Sequence, residues 1–322
     1  FFDEYQFLSQ YCTQDWQTNK WKFTGSGLTG LQRKLRNKFI RRTKDQTGIA
    51  LPEKTITVHD IELDPIINKR QFDANKALNE QAAIFLDDGR AASITTTLAL
   101  ITRKRQANVW PAGIEIRDPE TDMVVFSVGE DVNESIKLDR IIKQDGNEWT
   151  GMVPDFTGDG DKVNGERVVI FSQFKGPLKE LERRMNAAGI SVVRFDGDTH
   201  EDIRNQVKRD FDRKYVGDGE YKWQVVLANF RTGGVGLNFT AATQMIVLDE
   251  EWNVGKNEQA YARVDRIGQT EETTVHVLRL ANTIDTWMAE LIDNKRNMVE
   301  GFETNVEMAS EMLRKMRNGE MM

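Results

Sequence analysis

The fold class of this chain is decided by residues 167–197, RVVIFSQFKGPLKELERRMNAAGISVVRFDG. This stretch begins with a short β-branched run, continues with apolar residues at helical spacing, and ends with a second β-branched run. A strand, a helix and another strand in this order are the unit from which parallel sheets are built. We therefore expect a parallel sheet in this part of the chain, with helices on its faces.

The same alternation continues toward the C-terminus. Further β-branched runs lie at 223–230, 244–250 and 273–280, and helical patterns lie at 200–214 and 257–268. The apolar character of the runs is nearly continuous, which predicts strands that are buried on both faces. Ligands of such sheets gather at the carboxyl ends of the strands, so we expect the functional site there.

The first half of the chain has a different pattern. Residues 64–110 are mostly helical in periodicity, and residues 113–128 alternate on both sides of a turn, as a β-hairpin does. The Gly- and Asp-rich residues 145–166 are expected to form a long loop. Residues 283–322 have a helical pattern with an apolar stripe.

Composition excludes several classes of protein. The 322 residues contain no apolar run near the ~18 residues of a membrane-spanning helix, so no membrane association is expected. A single cysteine, Cys12, excludes an internal disulfide and fits a reducing intracellular compartment. Three scattered histidines add no zinc-ligand set, and we predict no metal ligands on this chain. The chain starts without Met and without a signal peptide, which indicates a fragment or a processed product.

The charge of the chain is unevenly distributed. The net charge of −7 argues mildly against bulk nucleic-acid binding, yet residues 33–44 are densely basic and residues 114–166 are rich in Asp and Glu. A track for phosphates needs only a local stripe of cations. Charge alone favours a solvated amphipathic helix at 33–44, and a nucleic-acid contact remains the alternative.

Two short stretches after the predicted strands contain residues with chemical potential. Gly233, Gly234 and Gly236 lie close together, and glycines allow backbone N–H groups to approach a phosphate. Asp249 ends an apolar run as a magnesium-binding carboxylate of a nucleoside triphosphatase does. The phosphate loop GxxxxGK[ST] that such a site needs is absent from this sequence, so a structural role is favoured for Asp249.

A pair of arginines lies in QAYARVDRIGQ, residues 259–269. Arg263 and Arg266 are three positions apart, so on the predicted helix they would share one face with Gln259. Two guanidinium groups on one face can bind phosphate oxygens, and salt bridges to neighbouring acids are the alternative.

These motifs together resemble one family. VVIFSQF, VVRFDGDT, RTGGVGLNFTAA with VLDEEWN, and QAYARVDRIGQ, in this order and spacing, resemble the second RecA-like lobe of a Swi/Snf-type DNA-dependent ATPase and translocase of helicase superfamily 2. The resemblance covers most of 36–300, and residues 39–55 are similar to the crossing between the two lobes. Residues 11–35 have a weaker similarity to the compact subgroup that anneals strands and remodels forks.

The resemblance implies a RecA-like α/β fold that follows a mostly helical segment and precedes a helical brace. It divides the chain into 1–55 (end of a first lobe and the crossing), 56–112 (helical lead-in), 113–166 (hairpin and acidic loop insertion), 167–282 (second RecA-like lobe) and 283–322 (C-terminal brace).

In the family that these motifs resemble, ATP with Mg²⁺ lies between two lobes, and the N-terminal lobe of the same polypeptide supplies the phosphate loop and the magnesium ligands. By resemblance, Arg263 and Arg266 are arginine fingers, Gln259 orients that face, and Gly236 with Asn238 contacts the nucleotide near its ribose. The family usually has Asp and His where this chain has Ala262 and Asp265.

The resemblance also implies DNA, double-stranded or forked, as a partner. The residues expected to contact it are Gln173, Lys175, Asp198, Thr199, Arg231, Gly233, Gly234 and Trp252. For Trp252, packing in the core is an equal alternative. The function implied is the C-terminal helicase lobe of an ATP-dependent double-stranded DNA translocase or remodeller, inactive without its first lobe. The alternatives are a strand-separating helicase and a non-catalytic module that binds nucleic acid or a protein partner.

Overall fold

The structure is a computed structural model, and it describes residues 4–14, 16, 21–35, 51–87, 94–118, 121–158, 165–216, 221–230 and 237–297. The chain divides into two compact units, one comprising Phe1–Ala50 with Asn294–Thr304 and the other comprising Leu51–Asp293 with Asn305–Met322. The predicted basic segment 33–44 lies outside the described residues from residue 36 onward, and so does the predicted brace after residue 297.

In the residues that the structure describes between 4 and 35, the smaller unit has two helices and a two-stranded antiparallel ribbon. In chain order its elements are α1 (Glu4–Tyr11), β1 (Cys12–Gln14), β2 (Trp21–Phe23) and α2 (Gly25–Leu35). Cys12 is buried at the start of β1, and burial raises the pKa of its thiol.

The remaining elements lie in the larger unit, except that the last four residues of the final helix, 294–297, belong to the smaller one. In chain order they are β3 (Lys54–Ile61), α3 (Lys69–Asp87), α4 (Ile94–Val109), β4 (Glu115–Arg117), β5 (Val124–Ser127), α5 (Ile136–Ile141), β6 (Lys143–Asp145), β7 (Glu148–Thr150), α6 (Met152–Thr157), β8 (Val168–Ser172), α7 (Lys175–Ala187), β9 (Val192–Phe195), α8 (Glu201–Phe211), β10 (Val225–Asn229), β11 (Gln244–Val247), α9 (Val254–Tyr261), β12 (Thr273–Leu280) and α10 (Ile284–Asn297).

A six-stranded parallel sheet forms the centre of the larger unit, in the order β3-β12-β11-β8-β10-β9. Every residue of β8 is buried, because helices cover both faces of the sheet. Alternate residues of β8 face opposite sides: Val168 belongs to the same apolar cluster as Leu178 of α7, whereas Phe171 belongs to the cluster that contains Phe211 of α8. The predicted parallel sheet with helices on its faces is confirmed.

The division of the chain made from the sequence missed one strand. β3 lies across the predicted boundary between the crossing and the helical lead-in, and it pairs in parallel with β12 along all eight of its residues. Its burial alternates from Ile56 to Ile61, but the apolar Ile56 and Val58 are exposed whereas the polar Thr57 and His59 are half-buried. An edge strand whose apolar residues face outward gives little of the local signal by which a buried strand is recognised.

The loop expected at 145–166 is also wrong over much of its length. β6 and β7 form an antiparallel hairpin, and α6 follows with Met152 and Val153 buried in the core. Gly151 precedes α6 at φ 115°, and a Cβ there would lie 2.8 Å from the carbonyl oxygen of Ile141. Glycine is therefore required at position 151. The many glycines of 145–166 suggested a loop, but this one allows the chain to turn tightly into a helix. Residues 159–164 lie outside the described part.

The other predictions for the first half agree with the structure. α3 and α4 account for the helical periodicity of 64–110 as far as it is described, and β4 pairs with β5 as the hairpin predicted at 113–128. In the described residues, no helix is long and apolar enough to cross a membrane.

Candidate functional site

The arginine motif does not continue the helix as the spacing predicts. α9 ends at Tyr261, and Arg263 and Arg266 lie in the turns that follow, so the prediction of one shared helical face with Gln259 is wrong. Gln259 itself is exposed on α9. The backbone leaves the helix because two of its carbonyl groups have other partners.

Those partners come from the connection between β10 and β11 and from the end of the motif. The carbonyl oxygen of Arg263 accepts a hydrogen bond from the backbone N–H of Phe239 at 2.9 Å, and that of Val264 accepts one from the side-chain amide of Gln269 at 3.2 Å. A continuing helix would use both oxygens for its own next turn. The tertiary bonds replace those helical bonds, and the chain turns instead.

Both guanidinium groups reach the same two-residue segment. Arg263 Nη1 donates to the carbonyl oxygen of Leu237 at 3.0 Å, and Arg266 Nη1 donates to Asn238 Oδ1 at 2.8 Å. Arg263 is half-buried and Arg266 is exposed. Burial lowers the pKa of Arg263, and the positive charge of Arg266 lowers it further, although a guanidinium group still keeps its proton at neutral pH. The structure thus brings together two predicted fingers and the predicted nucleotide contact Asn238.

Charge at this cluster is only partly compensated. Among the described residues, no carboxylate pairs with Arg266, and its hydrogen-bond partner is a neutral amide. The nearby Asp265 is buried and pairs with Lys54 of β3 at 3.5 Å. A salt bridge is therefore present in the motif, but it uses Asp265, the position at which this chain departs from the family pattern, and not Arg266.

The arginine motif lies toward the amino-terminal ends of the strands. Asp265 pairs with the first residue of β3, and Gln269 donates a hydrogen bond to the carbonyl oxygen of Ala242, two residues before β11 begins. The expectation that the site lies at the carboxyl ends is therefore wrong for these arginines. The reason is topological: α9 runs back from the carboxyl end of β11 so that the chain can enter β12 in the parallel direction.

The predicted DNA contacts lie at the other end of the strands, where β8, β9 and β11 have their carboxyl ends. Lys175 and Asp198 form an exposed ion pair at 2.7 Å, and this hydrogen bond raises the pKa of Lys175 and lowers that of Asp198. The hydroxyl of Thr199 accepts from the backbone N–H of Asp196 at 2.8 Å, which fixes the loop after β9. Arg231, Gly233, Gly234 and Gly236 lie outside the described residues.

Gln173 and Trp252 are engaged within the protein. The side-chain amide of Gln173 donates to the carbonyl oxygen of Glu250 at 2.9 Å. Trp252 is half-buried and lies edge-to-face against Trp287, with ring centroids 5.9 Å apart. The guanidinium carbon of Arg105 lies 5.6 Å from the centroid of the Trp252 ring. Two roles were left open for Trp252, contact with DNA and packing in the core, and the contacts seen here are those of packing.

Comparisons with known proteins identify a domain within the chain. The helicase conserved C-terminal domain family matches residues 152–268. The chain is 31% identical over 159 residues to DNA repair protein RAD5A of Arabidopsis thaliana. The aligned residues cover 49% of this chain and 15% of that protein. It is 35% identical over 150 residues to DNA repair protein RAD5 of Candida glabrata, which covers 45% of this chain and 13% of that protein.

A longer match extends beyond the domain. The chain is 26% identical over 277 residues to Protein CHROMATIN REMODELING 5 of Arabidopsis thaliana, covering 86% of this chain and 15% of that protein. Residues 152–268 carry a helicase conserved C-terminal domain, and the relatives of the chain include proteins of the Rad5 and Swi/Snf type. The chain spans between 13% and 15% of the length of these three relatives.

Two solved structures show the fold of this lobe. The C-terminal part of the Fun30 ATPase domain superposes with a TM-score of 0.57 at 18% identity, covering 84% of this chain and 98% of that one. The Sulfolobus solfataricus SWI2/SNF2 ATPase core, whose structure is a complex with dsDNA, superposes with a TM-score of 0.53 at 21% identity, covering 98% of this chain and 56% of that one. The predicted RecA-like fold is confirmed.

Asp249 is a buried structural carboxylate of the lobe. It accepts hydrogen bonds from the Ser172 hydroxyl at 2.5 Å and from the backbone N–H of Gln173 at 3.2 Å, and Arg105 lies 3.9 Å away. These contacts hold the end of β8 to the end of β11. Within the described ranges, no three His, Cys, Asp or Glu residues lie close enough together to hold a metal ion.

The burial of Asp249 makes the stability of the lobe depend on pH. Burial raises its pKa from 3.8 to about 6, although Arg105 and Ser172 act in the opposite direction. Because the pKa is raised on folding, protonation of Asp249 adds to the free energy of unfolding of the lobe. This contribution is fully present below about pH 4 and is lost as pH rises through about 6. Asp249→Asn cannot ionise. Its unfolding free energy relative to wild type should therefore increase between pH 4 and 7, by on the order of 3 kcal/mol.

Urea unfolding of the two proteins at intervals of pH measures this difference. A difference that stays constant over the whole range would contradict the assignment of a raised pKa to Asp249.

Sequence reasoning missed several residues that organise the lobe. Arg105 lies in α4, and nothing in the sequence around it points to its contact with Asp249. Asp212, the residue after α8, accepts a hydrogen bond from Asn238 Nδ2 at 3.1 Å. In a helix rich in charged residues, no sequence signal distinguishes Asp212 from its neighbours.

Proposed function

We propose that this chain is the second lobe of an ATP-dependent translocase or remodeller that acts on double-stranded or forked DNA. The first lobe, with the phosphate loop and the magnesium ligands, would come from the N-terminal part of the same polypeptide. Relatives named for DNA repair and chromatin remodelling support this proposal. A DNA substrate also agrees with the prediction of an intracellular protein.

The observation that carries the proposal is the guanidinium group of Arg266, which has no carboxylate partner among the residues that the structure describes. It is exposed, it lies beside the half-buried Arg263, and it donates a hydrogen bond to Asn238, two residues after the Gly-rich stretch. A guanidinium group has five N–H donors in a planar fork, which suits the oxygens of a phosphate. Charge placed in this way stabilises the transferring γ-phosphoryl group.

The residues present fit ATP with Mg²⁺ as the ligand, as far as this lobe contributes to the site. Arg263 and Arg266 would hold the γ-phosphate, and Asn238 with Gly236 would lie near the ribose. The magnesium ion would neutralise charge on the phosphates from ligands of the first lobe. This chain's own part is to deliver cationic donors and to exclude water when the two lobes close.

The DNA-binding part of the proposal rests on the opposite edge of the sheet. The family places Lys175, Asp198 and Thr199 near the DNA backbone, and the structure has them side by side after β8 and β9. Lys175 is paired with Asp198, so it would exchange that partner for a phosphate when DNA binds. Contacts of this kind position the protein and do not read the sequence.

The experiment that tests the function is steady-state ATP hydrolysis by the full-length protein, with and without DNA. We expect hydrolysis to increase when double-stranded or forked DNA is added, because DNA closes the cleft and brings the fingers to the phosphate. The chain described here, tested alone, should hydrolyse ATP at the background rate. DNA binding without any ATP hydrolysis by the full-length protein would favour the non-catalytic module instead.

A further inference from the structure

Asn238 stands between Arg266 and an acidic residue at the end of α8. Its Oδ1 accepts from Arg266 Nη1 at 2.8 Å, and its Nδ2 donates to Asp212 Oδ2 at 3.1 Å. Asp212 is buried and Asn238 is half-buried, so these bonds are shielded from solvent on the Asp212 side. The three side chains form a chain of two hydrogen bonds that ends at the predicted finger.

The direction of both bonds is set by Asp212. A carboxylate can only accept hydrogen bonds, so the amide of Asn238 must turn its NH₂ group toward Asp212. The amide oxygen then faces Arg266, which can only donate. With a donor in place of Asp212 Oδ2, the amide would be favoured in the reverse orientation and would present NH₂ to the guanidinium group.

Asp212 is held in place independently of Asn238. Its Oδ1 accepts from the backbone N–H of Lys214 at 3.1 Å and from the Thr240 hydroxyl at 3.4 Å. Its own backbone N–H donates to the carbonyl oxygen of Lys208, which completes the last turn of α8. The carboxylate is therefore a fixed point against which the Asn238 amide is oriented.

Helix α8 also connects Asp212 to the opposite ends of the strands, near Asp198 and Thr199. The helix starts directly after Asp198 and Thr199, and Arg204 in its first turns donates to the carbonyl oxygens of Thr199 and Asp196 at 2.8 and 2.9 Å. Its other end is Asp212. A helix of 11 residues is a rigid rod of about 16 Å, so its two ends move together.

We propose that Asp212 is a positioning residue, which fixes the direction of the Arg266 side chain through the Asn238 amide. Helix α8 links this finger to the carboxyl ends of the strands, where the predicted DNA contacts lie. This inference rests on the proposed function, because it concerns how the finger is oriented for ATP hydrolysis. Asp212 does not itself contact the nucleotide. Its role is to make the amide present an oxygen to the guanidinium group.

Asp212→Asn is the variant that tests the inference, because it alters the direction of the bond with little change of shape. The new Oδ1 can still accept from Lys214 and Thr240, whereas the new Nδ2 meets Asn238 Nδ2, donor against donor. In the full-length protein we expect DNA-stimulated kcat to fall by roughly 10- to 100-fold, the scale for a misplaced catalytic group. The Kd for ATP should change much less, since the first lobe would hold most of the nucleotide.

A double-mutant cycle with Arg266→Ala separates positioning from a general structural role. If Asp212 acts through Arg266, Asp212→Asn should cause no further loss of turnover in the Arg266→Ala protein. If the loss is the same in both backgrounds, Asp212 does not act through the finger and the inference is overturned. Asp210→Asn is the matched control: Asp210 is buried at the same helix end, but it bonds Gln206, Lys222 and Trp223.

A second measurement needs neither ATP nor activity. In a crystal structure of this chain with Asp212→Asn, we expect Arg266 to lie beyond hydrogen-bond distance of Asn238. An unchanged bond would overturn the inference. If Asp212→Asn does not fold, Asn238→Leu removes the same link, and its effect on kcat at saturating ATP should also vanish in the Arg266→Ala background. A full-length protein that DNA does not stimulate, or that keeps its turnover in Arg266→Ala, would contradict the proposed function instead.

Discussion

Replacing Arg266 with Ala in the full-length protein is expected to lower DNA-stimulated ATP turnover by roughly 10³-fold or more, the scale for arginine fingers. The exposed guanidinium group has no carboxylate partner among the described residues, so it is available for the charge that develops on the transferring phosphoryl group. Loss of an interaction made mainly in the transition state lowers kcat much more than it weakens substrate binding. The affinity for ATP should therefore change far less than the turnover.

Two companion variants make this prediction specific. Arg266→Lys keeps the positive charge but loses the planar fork, and it should restore little activity. Arg209→Ala removes an exposed arginine from α8 and should leave turnover close to wild type. Steady-state ATPase assays with and without DNA, beside measured nucleotide affinity, give the comparison. Near-normal turnover in Arg266→Ala would show that Arg266 is not a finger and that the motif has a structural role.

The second large effect is on stability. Asp285→Ala is expected to lower the free energy of unfolding by about 3–5 kcal/mol, the range for breaking a buried ion pair on one side. Asp285 Oδ2 lies 2.6 Å from Lys137 Nζ, and the two side chains are 10% and 0% exposed. Asp285 also accepts hydrogen bonds from the side-chain amide of Asn108 at 3.0 Å and from the backbone N–H of Leu280 at 3.1 Å.

The physical reason is that Lys137 cannot reach water when its partner is removed. Its ammonium group keeps one hydrogen bond to the carbonyl oxygen of Leu248 at 2.7 Å, and this neutral acceptor does not replace the charge of the lost carboxylate. The contacts that α4, α5 and β12 make with Asp285, in the first turn of α10, would be lost together. Asp285→Asn, which keeps the shape and one acceptor oxygen, should cost less than Asp285→Ala.

An exposed pair of the same length gives the matched control. Lys69 and Asp73 are also 2.6 Å apart, but their side chains are 70% and 53% exposed. Asp73→Ala should change the free energy of unfolding by less than about 1 kcal/mol, because surface pairs contribute little. Urea unfolding of this chain measures both variants. If Asp285→Ala and Asp73→Ala had similar small effects, the buried network would not stabilise the fold as argued.

The central sheet and the family could be predicted from the sequence because their signals are local. β8 and β10 are short apolar runs without polar alternation, and this pattern predicts strands that are buried on both faces. The arginine motif is also local, since Arg263 and Arg266 can be recognised within eleven consecutive residues. Period and spacing are properties of the chain before it folds, which explains why these features were readable.

The environment of each site residue depended on tertiary structure. Periodicity continues the helix through residues 257–268, but bonds from Phe239 and Gln269 to the carbonyl groups of the motif end it at Tyr261. Similarly, β3 pairs in parallel with β12 along its whole length, and nothing in its own residues identifies that distant partner. A backbone hydrogen bond from a residue far along the chain competes on equal terms with a helical one, and no local pattern records it.

The same distinction holds for the side chains around the finger. The sequence by itself determined that two arginines and an asparagine of the expected types are present, and that they belong to one family motif series. Only the tertiary structure decided that Asn238 lies between Arg266 and Asp212, and that these groups lie at the end of the sheet opposite Lys175. The direction of a hydrogen bond and the end of a sheet at which a turn lies depend on which distant groups the fold brings within about 3 Å of each other.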